Sequence, residues 1–486
     1  MSKEISHSEN YQDELERYMS RKKSAVALQN CIGKLLVDQS IELVFFRNQL
    51  MDVTISDILR LHKYARKVIG EEISVFDSSS LAQVLSEMHL APAKIDIGKL
   101  AYEWSLEKGN FSSQSDFLNH KLNGFSSLDT KPIEPRDVVL FGFGRIGRLA
   151  ARELIRQAVG NQLRLRAIVL RSVDKNSIKK RAALFENDSV HGRFAGTVEV
   201  DYENMCLIIN GQRVHLIASK NPGEIDYTTF GIKNALVIDN TGVYRDQDTL
   251  DIHLKAKGID LVLLTAPGSN MPNIVYGINH RELDRDHTQL YSAASCTTNA
   301  ISPVLKVIHD KFGIKKGHLE TIHAYTNDQN LLDNMHKKTR RGRSAAINMV
   351  ITSTGAGKAV AKVIPDLAGR LTASAVRVPT PNGSLAILNL DLEQSTTKQE
   401  VLEVMQEAAF KGHLVNQIFF SINEELVSTD IIGNDCCAVF DSPATIVRPD
   451  GDNVVLYVWY DNEFGYTRQV IRLAKYIAKV GRNIYF

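Results

Sequence analysis

The spacing of apolar residues changes character near residue 136. Upstream of it, apolar positions recur at the interval of an amphipathic helix. One run carries Leu15, Tyr18, Ala25, Leu28, Ile32 and Leu35. A second follows Thr54 or Ser56 and carries Ile58, Leu59, Leu61, Tyr64, Ala65 and Val68. Ser78-Ser79-Ser80 offers an N-cap cluster before Leu81, Val84 and Leu85. Further helical patterns cover Ile95 to Glu107 and Asp116 to Leu122, and Asn123 to Pro135 has the composition of a linker. The expectation is an all-α domain over residues 1–130 that packs or assembles and carries no chemical motif.

Downstream the pattern alternates between short apolar strands and helices, as in an α/β fold. Asp137 to Phe141 reads as a strand, followed at once by Gly142-Phe143-Gly144-Arg145-Ile146-Gly147 and a helix through Leu149, Ala150, Leu154 and Ile155. Leu163 to Leu170 completes a βαβ unit. In that context the glycines fit a dinucleotide-binding turn: they permit the bend, the close approach of a pyrophosphate and helix-on-strand packing. The second strand ends in Leu170-Arg171-Ser172, with no acid there to take an adenosine ribose hydroxyl. Arg171 and Ser172 suit a 2′-phosphate, and Lys220 supplies a second positive contact. The alternative is a solvated Arg171 and NAD held by its other contacts. Strands ending at Thr241-Gly242 and at Thr265 have the small polar termini of a sheet edge that meets a cofactor.

Candidate chemistry follows. Ser295-Cys296-Thr297-Thr298-Asn299 separates an apolar run from a helical pattern through Ala300, Ile301, Val304, Leu305 and Ile308. A thiol at a helix start gains from unpaired N–H groups and the helix dipole. His323, in a strand pattern, is the candidate base beside it. After Thr326 and Asn327 comes a polar excursion to Ser344 rich in Lys and Arg, including Arg341. The run Ser353 to Lys358, with Thr354-Gly355, opens another helix. Arg377 lies within a strand pattern and needs an anionic partner. Thr326, Arg341, Thr354-Gly355 and Arg377 are therefore candidates to share phosphate groups. The last part alternates with period two through Val454, Leu456, Val458 and Tyr460, reaches Asn462, a candidate carboxamide ligand, and closes in a helix.

Composition narrows the classes. The chain has 486 residues, 44% hydrophobic and 23% charged, with a net charge of +2. That is globular, and gives no bulk electrostatic case for nucleic acid or membrane. No apolar run reaches the roughly 18 residues of a membrane span. Five cysteines without a framework spacing fit a reduced, cytoplasmic protein, and no metal-ligand spacing is present.

Together these motifs resemble phosphorylating glyceraldehyde-3-phosphate dehydrogenase over roughly residues 136 to 486. The Phe143-Gly144-Arg145-Ile146-Gly147-Arg148 turn, the Cys296 loop, His323 to Gln329, Arg377-Val378-Pro379-Thr380-Pro381 and Trp459 to Tyr466 occur in the family's order. The resemblance implies a Rossmann domain over 136–295, completed by a C-terminal helix over 467–486, and a mixed-sheet α+β catalytic domain over 296–466. It implies a homotetramer that oxidises a triose phosphate with NAD or NADP, in glycolysis or gluconeogenesis. Cys296 is implied as nucleophile and His323 as base. Cofactor contacts are implied at Gly142, Phe143, Gly144, Arg145, Ile146, Gly147, Arg171, Ser172, Lys220, Thr241, Gly242, Thr265, Asn327 and Asn462. Ser295, Thr297, Thr354 and Gly355 are implied as inorganic-phosphate contacts, and Thr326, Arg341 and Arg377 as substrate-phosphate contacts. Two departures, the missing acid and Asn334-Met335 where NAD-specific members commonly carry Leu-Pro, both relax selectivity for NAD. An erythrose-4-phosphate dehydrogenase, or a silent homologue that has kept the fold, are the competing readings.

Overall fold

The computed structural model describes residues 7–127, 132–157, 160–352 and 354–486. Part of the expected linker, the boundary at 130 and Ser353 lie outside the described residues. The chain divides into two compact units, Met1–Glu134 with Gly481–Phe486, and Pro135–Val480.

The first unit carries the expected helices: α1 (His7–Gln39), α2 (Ile55–Ile69), α3 (Val75–Glu87), α4 (Ile97–Glu107) and α5 (Gln114–Lys121). Thr54 caps α2 through a reciprocal capping box with Asp57. The Ser78 cluster does not cap α3. Ser74 does, accepting from the Phe76 N–H, while Ser78 and Ser79 are buried inside the helix. The all-α expectation needs one addition. Three short strands, β1 (Glu42–Phe45), β2 (Asn48–Gln49) and β3 (Ala93–Asp96), lie between the helices and form a sheet.

The fourth strand of that sheet is the end of the chain, which we number last, as β19 (Asn483–Tyr485), and it runs parallel to β3. The expected cofactor-domain helix over 467–486 is therefore divided: it ends at Ile477, and the last residues belong to the first unit. Arg482 anchors the tail by donating to Glu42 at 2.7 Å and to the Ser40 carbonyl at 3.0 Å. Glu42 and Arg482 are both buried side chains. Breaking such a buried pair costs about 3–5 kcal/mol. Deleting residues 481–486 is expected to lower the unfolding midpoint of the first unit, read by urea melting, and to leave the second unit's transition in place. A single unshifted transition would show that the tail carries no stability.

Among the described residues, the second unit has two large sheets and a two-stranded one that pairs Asn187–Asp188 with Gly192–Arg193. The cofactor-domain sheet contains β4 (Arg136–Phe141), β5 (Leu163–Leu170), β6 (Val198–Asp201), β7 (Cys206–Ile209), β8 (Gln212–Ala218), β9 (Ala235–Asp239), β10 (Ile259–Leu264) and β11 (Leu290–Ser292). Their order is β11-β10-β9-β4-β5-β8-β7-β6, parallel from β11 to β8. β4 is apolar and buried from Asp137 onward because α6 (Arg145–Arg156) and its neighbours cover the faces. Strand order reverses at β4, which places a crevice at its carboxyl end.

The catalytic sheet is mixed. It contains β12 (Ile314–Ala324), β13 (Val350–Thr352), β14 (Leu371–Val378), β15 (Ser384–Leu392), β16 (Ile418–Ser421), β17 (Ala438–Asp441) and β18 (Asn453–Tyr460), in the order β13-β14-β12-β15-β18-β17-β16. β15 and β18 alternate buried and part-exposed positions, so one face packs on the core. That core joins Leu388, Leu390, Leu456 and Val458 to Ile301, Val304, Leu305 and Ile308 of α8 (Cys296–Phe312). Of two shorter helices, α7 (Lys175–Glu186) packs on β6 and α9 (Ala356–Val363) on α8 and β14, and α10 (Lys398–Phe410) also packs on α8. The closing helix α11 (Phe464–Ile477) packs on α6, where Arg468 pairs with the buried Glu153. No described helix is long and apolar enough to cross a membrane.

Candidate active site

A cleft of about 820 Å³ opens where the cofactor-domain sheet meets the catalytic domain. Its first wall is the β4–α6 turn. Gly142 has φ +94°, a conformation that side chains resist. A Cβ on Gly147 would stand 2.4 Å from the Gly142 carbonyl oxygen, so only glycine allows α6 to pack there. Gly144 borders the cleft and has open space around its α-carbon. No side chain caps α6, so its first N–H groups remain for an anion. The turn therefore fits a pyrophosphate. Phe143 faces away, stacked on Phe185 in the core at 6.1 Å. Arg145 lines the cleft, but its guanidinium is held by Asp188 at 3.1 Å and by Glu463, tying the turn to the start of α11.

At the end of β5, Arg171 lines the cleft, whereas Ser172 and Lys220 are exposed and do not. Asp174, three residues after Arg171, spends a carboxylate oxygen capping α7, accepting from Asn176 and Ser177 N–H at 2.9 Å each. It offers no obvious substitute for the missing ribose acid.

Thr241 and Thr265 line the next wall, and Gly242 stands just outside it at φ +63°. One residue that the sequence reading passed over organises both threonines. Asp239, fully buried at the end of β9, accepts from the Thr241 N–H and hydroxyl at 2.7 Å each, and its carbonyl accepts from the Thr265 hydroxyl at 2.9 Å. Its second oxygen lies 3.0 Å from Nε2 of the buried His253. The legible signal is a carboxylate closing an otherwise apolar strand, which needs a partner when buried.

The floor holds the reactive groups. Cys296 is the first residue of α8, with Ser295 as its N-cap accepting from the Thr298 N–H. His323 sits near the end of β12, and the parallel register with β14 sets Arg377 directly beside it. Cys296 Sγ lies 3.5 Å from His323 Nε2. His323 Nδ1 lies 2.7 Å from the Ala324 carbonyl and 2.8 Å from Arg377 Nη1, which itself donates to that carbonyl at 2.7 Å. We assign the proton to Nδ1, toward the carbonyl, because this leaves the Nε2 lone pair facing Sγ.

Burial pushes the Cys296 thiol up, and the Arg377 charge pulls it back. Burial, then Arg377, holds His323 down to about 3. Taken singly, both groups prefer to be neutral. Taken together they exchange one proton without changing the net charge of the pocket. An ion pair at this separation gains about 5 kcal/mol at an effective dielectric of 20. Moving a proton from an ordinary thiol to an ordinary imidazole costs about 3 kcal/mol, and the shifts at Cys296 and His323 both raise that cost. The attraction offsets part of that cost, and the α8 N-terminus favours the thiolate.

Ser295, Thr326, Asn327, Arg377 and Asn462 also line the cleft. Arg377 Nε is buried without a hydrogen-bond partner, a donor available to an anion. Asn462 accepts from the Ser384 hydroxyl at 2.8 Å through Oδ1, which leaves its NH2 group for a ligand. Four expected phosphate contacts do not reach the lining. Thr297 is buried with its hydroxyl 3.1 Å from that of Tyr460. Arg341 is buried, paired with Asp328 and donating to Thr352 at 2.9 Å; its charge still reaches His323. Thr354 accepts from the Ala356 N–H, and Gly355 stands at the uncapped start of α9.

Comparison with known proteins agrees with this geometry. Residues 136–247 match the family model described as glyceraldehyde 3-phosphate dehydrogenase, NAD binding domain, and residues 295–462 the C-terminal domain of the same family. A glyceraldehyde-3-phosphate dehydrogenase-like protein of Pseudomonas aeruginosa (strain UCBPP-PA14) is 48% identical over 456 residues, covering 92% of this chain and 98% of that protein. Glyceraldehyde-3-phosphate dehydrogenase of Clostridium pasteurianum is 40% identical over 350 residues, 71% of this chain and 99% of that enzyme. Glyceraldehyde-3-phosphate dehydrogenase 1 of Bacillus subtilis (strain 168) is 41% identical over 341 residues, 70% and 97%. The Pseudomonas match is too long to omit the first unit, which the other two lack. The glycine turn, the cysteine–histidine floor and these matches together make the chain a member of the glyceraldehyde 3-phosphate dehydrogenase family, an NAD-dependent oxidoreductase with an added N-terminal unit.

Proposed function

We propose that the protein catalyses the reversible phosphorylating oxidation of D-glyceraldehyde 3-phosphate to 1,3-bisphosphoglycerate. The observation that carries this reading is Cys296 Sγ at 3.5 Å from His323 Nε2, with Arg377 beside them on the cleft floor. Nε2 takes the thiol proton, and the thiolate attacks the aldehyde carbon to give a thiohemiacetal. The Cys296 N–H at the start of α8 and the imidazolium N–H stabilise the oxyanion. The imidazolium returns the proton to the oxyanion, and the neutral His323 then takes it from the hemiacetal hydroxyl as base while the hydride departs. The Gly142–Gly147 turn would hold the pyrophosphate of a nicotinamide dinucleotide and Asn462 its carboxamide, and that group would supply the hydride acceptor. Inorganic phosphate cleaves the resulting thioester, releasing the acyl phosphate and the thiolate. The substrate phosphate is held by Arg377 and Thr326, with Arg341 contributing charge from behind, and Ser295 is the nearest candidate for inorganic phosphate.

The decisive assay measures cofactor reduction with the triose phosphate, with and without inorganic phosphate. Phosphate-dependent turnover is expected. Turnover indifferent to phosphate would replace this reading with hydrolytic release, as in an erythrose-4-phosphate dehydrogenase. No turnover of any phospho-aldehyde would make the chain a silent homologue.

NADP acceptance is part of the proposal. Arg171 on the cleft wall, and Asp174 committed to its helix, support it. Arg171→Asp is expected to lower kcat/KM for NADP relative to NAD by about tenfold, the loss of one charged contact of about 1.5 kcal/mol. An unchanged ratio would leave Arg171 in solvent. Assembly as a homotetramer is supported by Leu331, Leu332, Met335, Ile347, Met349 and Ile351, all more than 60% exposed within one segment.

A further inference from the structure

Helix α1 is 33 residues long, about 50 Å at the rise of an α-helix. Its second half is bound into the first unit through Ala25, Leu28, Ile32 and Leu35. Residues 11–20, by contrast, are all exposed. A helical stretch that short is marginal in water without packing. It is also not polar all round. Tyr11 is 67% exposed, Leu15 40%, Tyr18 46%, Met19 44% and Val26 51%. At 100° per residue these five fall within an arc of about 100°, the width of an apolar face that packs on something. The arc lies beside, and not on, the stripe that faces the unit's own core. Tyr11, Leu15, Tyr18 and Lys22 also follow the alternating four-three spacing of a helix–helix seam.

Charge along this segment says what covers the seam. Glu14 and Arg21, seven residues apart, stand on the same flank of the seam, so the acid comes first and the base second. Two such helices laid parallel set like charges side by side. Laid antiparallel about an axis between residues 16 and 17, Glu14 of each copy comes beside Arg21 of the other, and the helix dipoles also oppose.

We propose that this free half of α1 pairs antiparallel with the same helix of a second copy of the chain. The axis passes between residues 16 and 17, which sets Leu15 of one copy against Tyr18 of the other and Tyr11 against Lys22. The pairing does not depend on the reaction assigned above.

The symmetry gives a matched test on the full chain. Under mild oxidation, Leu15→Cys/Tyr18→Cys is expected to convert more than half of the chains to a disulfide-linked dimer on a non-reducing gel. Asp13→Cys/Ser20→Cys, related by the same axis on the opposite face, is expected to give little, with untreated native cysteines as the blank. No dimer from the first variant, or equal dimer from both, overturns the proposal, the former leaving the seam for a different protein. Independently, Leu15→Glu/Tyr18→Glu is expected to speed tryptic cleavage at Arg17, Lys22 and Lys23 at least tenfold. An unchanged rate shows that the helix was never covered.

Discussion

Cys296→Ser is expected to lower turnover by on the order of 10⁴-fold or more, the scale seen when an enzyme loses its nucleophile. The hydroxyl is the poorer nucleophile, and its proton is far harder to remove than that of a thiol. Its size suits the pocket, since Cys296 is only partly buried and packs lightly against the catalytic core. Cofactor binding is expected to persist, because the Gly142–Gly147 turn and the Asn462 amide do not depend on the sulfur. The measurement pairs steady-state rates with iodoacetamide labelling followed by peptide mapping. Rapid loss of activity as one thiol is alkylated in the native protein, and no such loss on labelling the variant, is the expected pattern. A serine variant retaining a tenth of native turnover would remove covalent catalysis from the mechanism.

His323→Asn carries the second large effect. Loss of a positioned general base costs about 10²–10⁴-fold in rate. The more telling readout is the pH dependence of alkylation. In the native pair the thiolate forms by passing its proton to Nε2, so reactivity falls as pH drops through the pair's apparent pKa. Without the imidazole, burial alone acts on the thiol and pushes it up, opposed only by Arg377 and weaker local contacts. Reactivity at pH 7 is then expected to fall about tenfold or more, and to keep rising past the ordinary thiol value of about 8.5. An alkylation profile identical to wild type would mean that sulfur and ring ionise independently, which contradicts their 3.5 Å approach.

What the sequence made legible was local. The β4 turn could be read because an apolar run, three glycines and a helix follow one another within a dozen residues. The Cys296 loop could be read for the same reason. His323 and Arg377 were recognisable singly, but their adjacency comes from the parallel register of β12 and β14, which no spacing in the chain reveals. A basic run does not show which of its members becomes buried; here it is Arg341, held by Asp328 and Thr352. The serines at 78–80 satisfied a capping rule that Ser74 had already met. The sheet of the first unit escaped notice because its strands span two to four residues, too few to establish a period. Its last strand is separated from the others by the whole second unit.

That separation has a consequence for biosynthesis. The ribosome delivers the helical unit first, yet the edge of β3 stays unpaired until the closing residues emerge. The first unit is thus made before the second and finished after it, and in the interval it presents an open strand edge to the cell. A premature stop codon at Gly481 would spare every group on the cleft and remove the strand that completes the first sheet.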